Sequence, residues 1–99
     1  MYRILVVDDK DEIYNSLNNV SEEDVSFKIM AVKNGRSAIE LADEFSPDIV
    51  FIELELSGIS SIDVMHEIKN NHPNVIFVIV SSCIKNEYIQ DIINIGVFE

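Results

Sequence analysis

The run Val75-Ile76-Phe77-Val78-Ile79-Val80 is apolar at every position. Side chains along a strand alternate between its two faces, so a strand of this kind must be covered on both. In a chain of 99 residues this points to a parallel sheet with helices above and below it. The remaining sequence agrees, because apolar segments of strand length at residues 2–7, 27–32 and 49–53 alternate with segments of helical period. One continuous α/β domain over residues 1–99 is expected, with no linker or internal repeat.

The first helix should run from residue 10 to about 20, with Ile13, Leu17 and Val20 on one side and Asp9 or Asp11 as its cap. Asn34-Gly35 opens a second, which carries Ala38, Ile39, Leu41, Ala42 and Phe45 and is stopped by Ser46-Pro47. A third, at residues 61–70, turns Ile62, Met65 and Ile68 inward and closes at His72-Pro73. Asn86 caps a last helix that Gly96 ends. Lys28 in the second strand, and Glu22-Glu23-Asp24 before it, suit a sheet edge.

Eighteen acidic against seven basic residues give a net charge of −11, which repels nucleic-acid backbones and anionic lipid. This segment is therefore expected to contact neither nucleic acid nor membrane. No stretch approaches the roughly 20 apolar residues of a spanning helix, and the opening residues lack a signal peptide's cleavage region. Cys83 is the single cysteine and is read as a small semi-buried residue. A cytoplasmic protein is expected.

At the carboxyl ends of the strands, Asp8, Asp9 and Glu53 would converge if the first and third strands are neighbours. Three carboxylates so close call for a cation such as Mg²⁺ or Ca²⁺, or else they are simply exposed acids of an acidic protein. The wider pattern narrows the choice. Ile4-Leu5-Val6-Val7-Asp8-Asp9 resembles the opening of bacterial receiver domains of two-component response regulators, and residues 47–58 resemble their third strand and following loop. Asn34-Gly35 with Ala38, and Ile79-Val80-Ser81-Ser82, fit the family's second helix and fourth strand.

The resemblance implies a flavodoxin-like, CheY-like doubly wound sheet of strand order 2-1-3-4, and a domain that signals without turning over substrate. It further implies that Asp8, Asp9, Glu53 and the backbone carbonyl of Glu55 hold Mg²⁺, here weakly. Glu53 stands at the phospho-acceptor position served by a histidine kinase, and Ser81 is the switch hydroxyl. Transfer to such a carboxylate works through metal neutralisation and in-line geometry.

The chain departs from the family in several places. Glu53 replaces the usual Asp, and its extra methylene moves the carboxylate by ~1.5 Å. A displacement of that size can cost about a hundredfold in transfer rate. Glu53 therefore reads either as a standing imitation of the activated state or as a degenerate acid that biases nothing. Ser57 and Ser61 stand where Pro and Gly are usual, and should loosen the match at that loop. The family's fifth strand, with its Lys, would fall past Glu99, so the fifth strand and helix are expected to be absent. The fourth strand would then be an unguarded edge. The chain is a fragment, or its order stops early, or a partner such as a second copy supplies the pairing.

Along the last helix Tyr88, Ile92 and Ile95 form one apolar line and Ile89 and Ile93 another. One line suffices for a core, so the second either serves a signalling partner or lies under the absent elements. His66 and His72 have no ligand spacing and read as surface residues, and Leu54 and Leu56 as flanks of an exposed loop. The leading expectation is a weakly or non-phosphorylated regulatory receiver controlling an output domain beyond Glu99, DNA-binding and transcriptional. The alternatives are a conventional Mg²⁺-dependent receiver that tolerates Glu, and a small metal-dependent phosphatase. No cluster of Lys or Arg near the acids supports the latter.

Overall fold

A computed structural model of the chain describes residues 2–18, 27–56 and 58–80. In chain order they form β1 (Tyr2–Val7), α1 (Glu12–Asn18), β2 (Phe27–Val32), α2 (Gly35–Phe45), β3 (Ile49–Glu53), α3 (Ser61–Asn71) and β4 (Ile76–Val80). The sheet order is β2-β1-β3-β4 and every pairing is parallel. The chain steps outward from β1 to β2 and then crosses back over β1 to β3. That reversal opens a crevice at the carboxyl ends of β1 and β3.

Alternation along the strands divides the core in two. Leu5, Val7, Val50, Ile52 and Phe77 face α2 and α3, where they meet Ala38, Ala42, Val64, Met65 and Ile68. Ile4 and Val6 face the other way, onto Ile13 of α1, with Ile49, Phe51 and Val80 packed against them. Each fully buried Leu, Ile or Phe contributes about 1.5–3 kcal/mol. The larger cluster therefore carries most of the stability among the described residues.

β4 is covered unequally. Phe77 is fully buried toward α2 and α3, whereas Ile76 on the other face is 46% exposed. Among the described residues α1 is the one helix on that face, and it leaves a groove lined by Glu12, Ile13, Leu17, Phe51 and Val80. The far neighbour that its sequence demands, and the helix expected after Asn86, lie outside the described residues.

Caps and stops follow local chemistry. Asn34 accepts from Ser37 N at 2.8 Å to start α2, and Ser46, in the left-handed region at φ 51°, ends it with its N–H on the Ala42 carbonyl. Ser60 caps α3 through Ile62 N. The expectation for α1 needs correction. A side chain that serves its first turn is that of Asp8, which accepts from Ile13 N, and Asp11 does not act as a side-chain cap. Asp11 sits at φ 63°, away from the extended backbone a capping side chain requires, and its carboxylate turns to Lys33 instead.

Candidate functional site

Register places the acids. Val7 pairs with Ile52, so one further step sets Asp8 level with Glu53, on strands about 4.8 Å apart. On the other side Glu53 pairs with Val80. Asp8, Asp9 and Glu53 thus share one edge of the sheet at the crevice, as their spacing predicts. Among the described residues, however, no three acidic, His or Cys side chains are grouped closely enough to hold a metal ion. The reason is visible in two of them. Asp8 is 2% exposed and accepts from Lys10 N and Ile13 N, both at 3.0 Å, so its carboxylate is drawn toward the start of α1. Glu53 has folded back on its own strand end, where Oε1 accepts from Glu55 N at 3.2 Å. The expected Mg²⁺ set of Asp8, Asp9, Glu53 and the Glu55 carbonyl is not assembled by the residues as they stand.

The loop between β3 and α3 is held at several points. Leu54 is buried and Leu56 packs against the larger core cluster, so both are anchors rather than mere flanks of an exposed loop. Gly58 turns the chain at φ 87°, where an L side chain is strained. Ile59 lies over Gly35 at the start of α2, so close that a Cβ on Gly35 would overlap both Ile59 Cγ2 and Val64 Cγ2. Ser61, which stands where the family usually has Gly, has a structural part here. It is 3% exposed, and its hydroxyl donates to the Leu54 carbonyl at 2.5 Å, tying the first turn of α3 to the end of β3.

Other polar groups are structural. Lys33 lies 3.2 Å from Asp11, an exposed pair worth ~0–1 kcal/mol. His66 is exposed, and His72 bonds Asp43 at 3.0 Å, linking the far ends of α2 and α3. Lys69 reaches the Val75 carbonyl at 2.9 Å. Ser81, expected to be the switch hydroxyl, Cys83, Ser57, and Tyr88, Ile89, Ile92 and Ile93, expected to form an interaction surface, lie outside the described residues. Sequence reasoning missed the roles of Asp8 and Ser61. A Ser at the start of a helix, just after a loop that must be held, was the available signal for the second.

The family profile of the response regulator receiver domain matches residues 4–99. The chain belongs to that family. The receiver is 29% identical over 82 residues to the transcriptional regulatory protein YdfI of Bacillus subtilis, covering 82% of this chain and 38% of YdfI. It is 32% identical over 80 residues to protein-glutamate methylesterase/protein-glutamine glutaminase 2 of Carboxydothermus hydrogenoformans, covering 80% of this chain and 23% of that one. The receiver thus spans less than half the length of either curated relative. Among solved structures, the response regulator domain of Thermotoga maritima CheB superposes with a TM-score of 0.79 at 23% identity, covering 98% of this chain and 74% of that one. A LuxR-family DNA-binding response regulator from Staphylococcus aureus gives 0.80 at 22% identity, covering 98% and 82%. These two likenesses confirm the CheY-like sheet of order 2-1-3-4.

Proposed function

We propose that this receiver signals through a standing negative charge at Glu53 rather than through a phosphoryl group transferred to it. The observation that carries this reading is the hydrogen bond from Glu55 N to Glu53 Oε1, which turns the long carboxylate back onto the loop. An attacking oxygen must lie in line with the incoming phosphorus, and a carboxylate both lengthened and folded back loses that geometry. At the same edge the Asp8 carboxylate accepts from the backbone N–H groups of Lys10 and Ile13.

The segment itself performs no turnover. It controls an output beyond Glu99, and the similarity to YdfI, named a transcriptional regulatory protein, favours a DNA-binding, transcriptional one. A histidine kinase or another regulatory protein is the upstream partner. Ser81 serves as the hydroxyl that answers the Glu53 charge, and Tyr88, Ile89, Ile92 and Ile93 form the surface read by the output. No helix among the described residues is long and apolar enough to cross a membrane, which is compatible with a cytoplasmic site of action.

The test is incubation with acetyl phosphate and Mg²⁺ followed by intact mass measurement. The expected spectrum shows unmodified protein. A stoichiometric phosphoryl adduct at Glu53 would return the receiver to the conventional class.

A further inference from the structure

One peptide group in the β3–α3 loop is held at both ends by side chains. The Leu54 carbonyl accepts from the Ser61 hydroxyl at 2.5 Å. The N–H of the same peptide group, which belongs to Glu55, donates to Glu53 Oε1 at 3.2 Å. The preceding N–H, that of Leu54, is fixed on the Val80 carbonyl at 3.0 Å. Because a peptide group is planar, the direction of its carbonyl sets the direction of its N–H. A hydrogen bond to the carbonyl oxygen also polarises the amide and strengthens its N–H as a donor.

We propose that Ser61 is a positioning residue for Glu53: by fixing the Leu54–Glu55 peptide group from α3, it holds the Glu53 carboxylate folded against the loop. The anchor is rigid. Ser61 is buried in the first turn of α3, whose Val64 and Met65 are fully buried in the larger core cluster. Glu53 by contrast is half-exposed and long enough to swing, so the peptide group decides where its charge rests. Movement of the first turn of α3 would release the carbonyl, weaken the Glu55 N–H as a donor and free the carboxylate. The position of α3 is therefore transmitted to the acid at the sheet edge through two hydrogen bonds. This holds whether or not Glu53 accepts a phosphoryl group, so it stands or falls separately from the proposed function.

The experiment is NMR on the ¹⁵N-labelled chain at one pH, reading amide exchange and the chemical shift of the Glu55 amide proton. Ser61→Ala should raise exchange at Glu55 about fivefold, the size of one net hydrogen bond, and move its amide proton upfield as that bond weakens. Glu53→Ala should raise exchange similarly. The double variant should add less than twofold to Glu53→Ala alone, because both residues act on the same peptide group. Unchanged exchange at Val6 and Val50 shows that the sheet is intact. Ser61→Cys, a weaker donor of similar size, should shift the same signals by less, and serves if the alanine variant does not fold. Two results would overturn the proposal: a Glu55 amide whose exchange and chemical shift are unchanged without the Ser61 hydroxyl, or exchange effects that multiply independently in the double variant.

Discussion

Removing the Asp8 carboxylate tests whether this acid is a spare metal ligand or part of the scaffold. Its oxygens accept from Lys10 N and Ile13 N at 3.0 Å, and the second of these bonds is buried. A hydrogen bond to a charged group contributes about 1.5–3 kcal/mol, and a buried N–H left without an acceptor costs ~1–3 kcal/mol. Lys10 is exposed and can recruit water, whereas Ile13 is 7% exposed and cannot do so cheaply. Relief of the desolvation of a carboxylate only 2% exposed offsets part of the loss. The net expectation for Asp8→Ala is a destabilisation of about 2–3 kcal/mol. Asp8→Asn, which retains one acceptor oxygen, should lose about half of that.

The assay is urea unfolding followed by circular dichroism, run in a chelator so that no cation contributes. For a domain of this size ~2–3 kcal/mol corresponds to a fall in melting temperature of roughly 8–24 °C. If Asp8 were only a ligand waiting for a cation, removing it without metal would relieve repulsion from Asp9 and Glu53 and leave stability equal or higher. A midpoint for Asp8→Ala at or above that of the wild type would refute the scaffold role.

Gly35→Ala should destabilise by about 1–3 kcal/mol despite the better helix propensity of Ala, because the new methyl overlaps Ile59 and Val64; thermal unfolding checks this. At Gly58 the space around a built Cβ is open, so Gly58→Ala should cost only the ~1–2 kcal/mol of its left-handed backbone. Gly58→Asn should cost less, as read by the same melts. Phe77→Ala, at a fully buried site under α2 and α3, should cost about 3–5 kcal/mol, and a loss under 1 kcal/mol in denaturant titration would contradict the packing described.

The strands were legible because their signal is local and periodic. Residues 2–7, 27–32 and 49–53 form strands with the bounds that their apolar runs set, and β4 begins one residue later than expected. Helix α2 could be read from Asn34-Gly35 and Ser46-Pro47, which act through their own backbone. The sharing of one edge by Asp8, Asp9 and Glu53 was also legible, since the ends of neighbouring parallel strands are fixed by strand length and order. How each carboxylate is used was not. An acid can bind a cation, a backbone N–H or a distant Lys, and its sequence position does not rank those partners.

The sequence by itself determined that Glu53 is the acid that closes the apolar run of the third strand. It also determined the parallel sheet that puts this residue at the crevice. Only the tertiary structure decided the direction of that side chain, through a peptide group that Ser61 holds from seven residues away. It likewise decided that Asp8 serves the first turn of α1, five residues on. Apolar patterning fixes which residues face inward, because burial is non-directional and follows period alone. Hydrogen bonds are directional and short, so their partners emerge only after packing has brought the loop, α3 and the strand ends within reach.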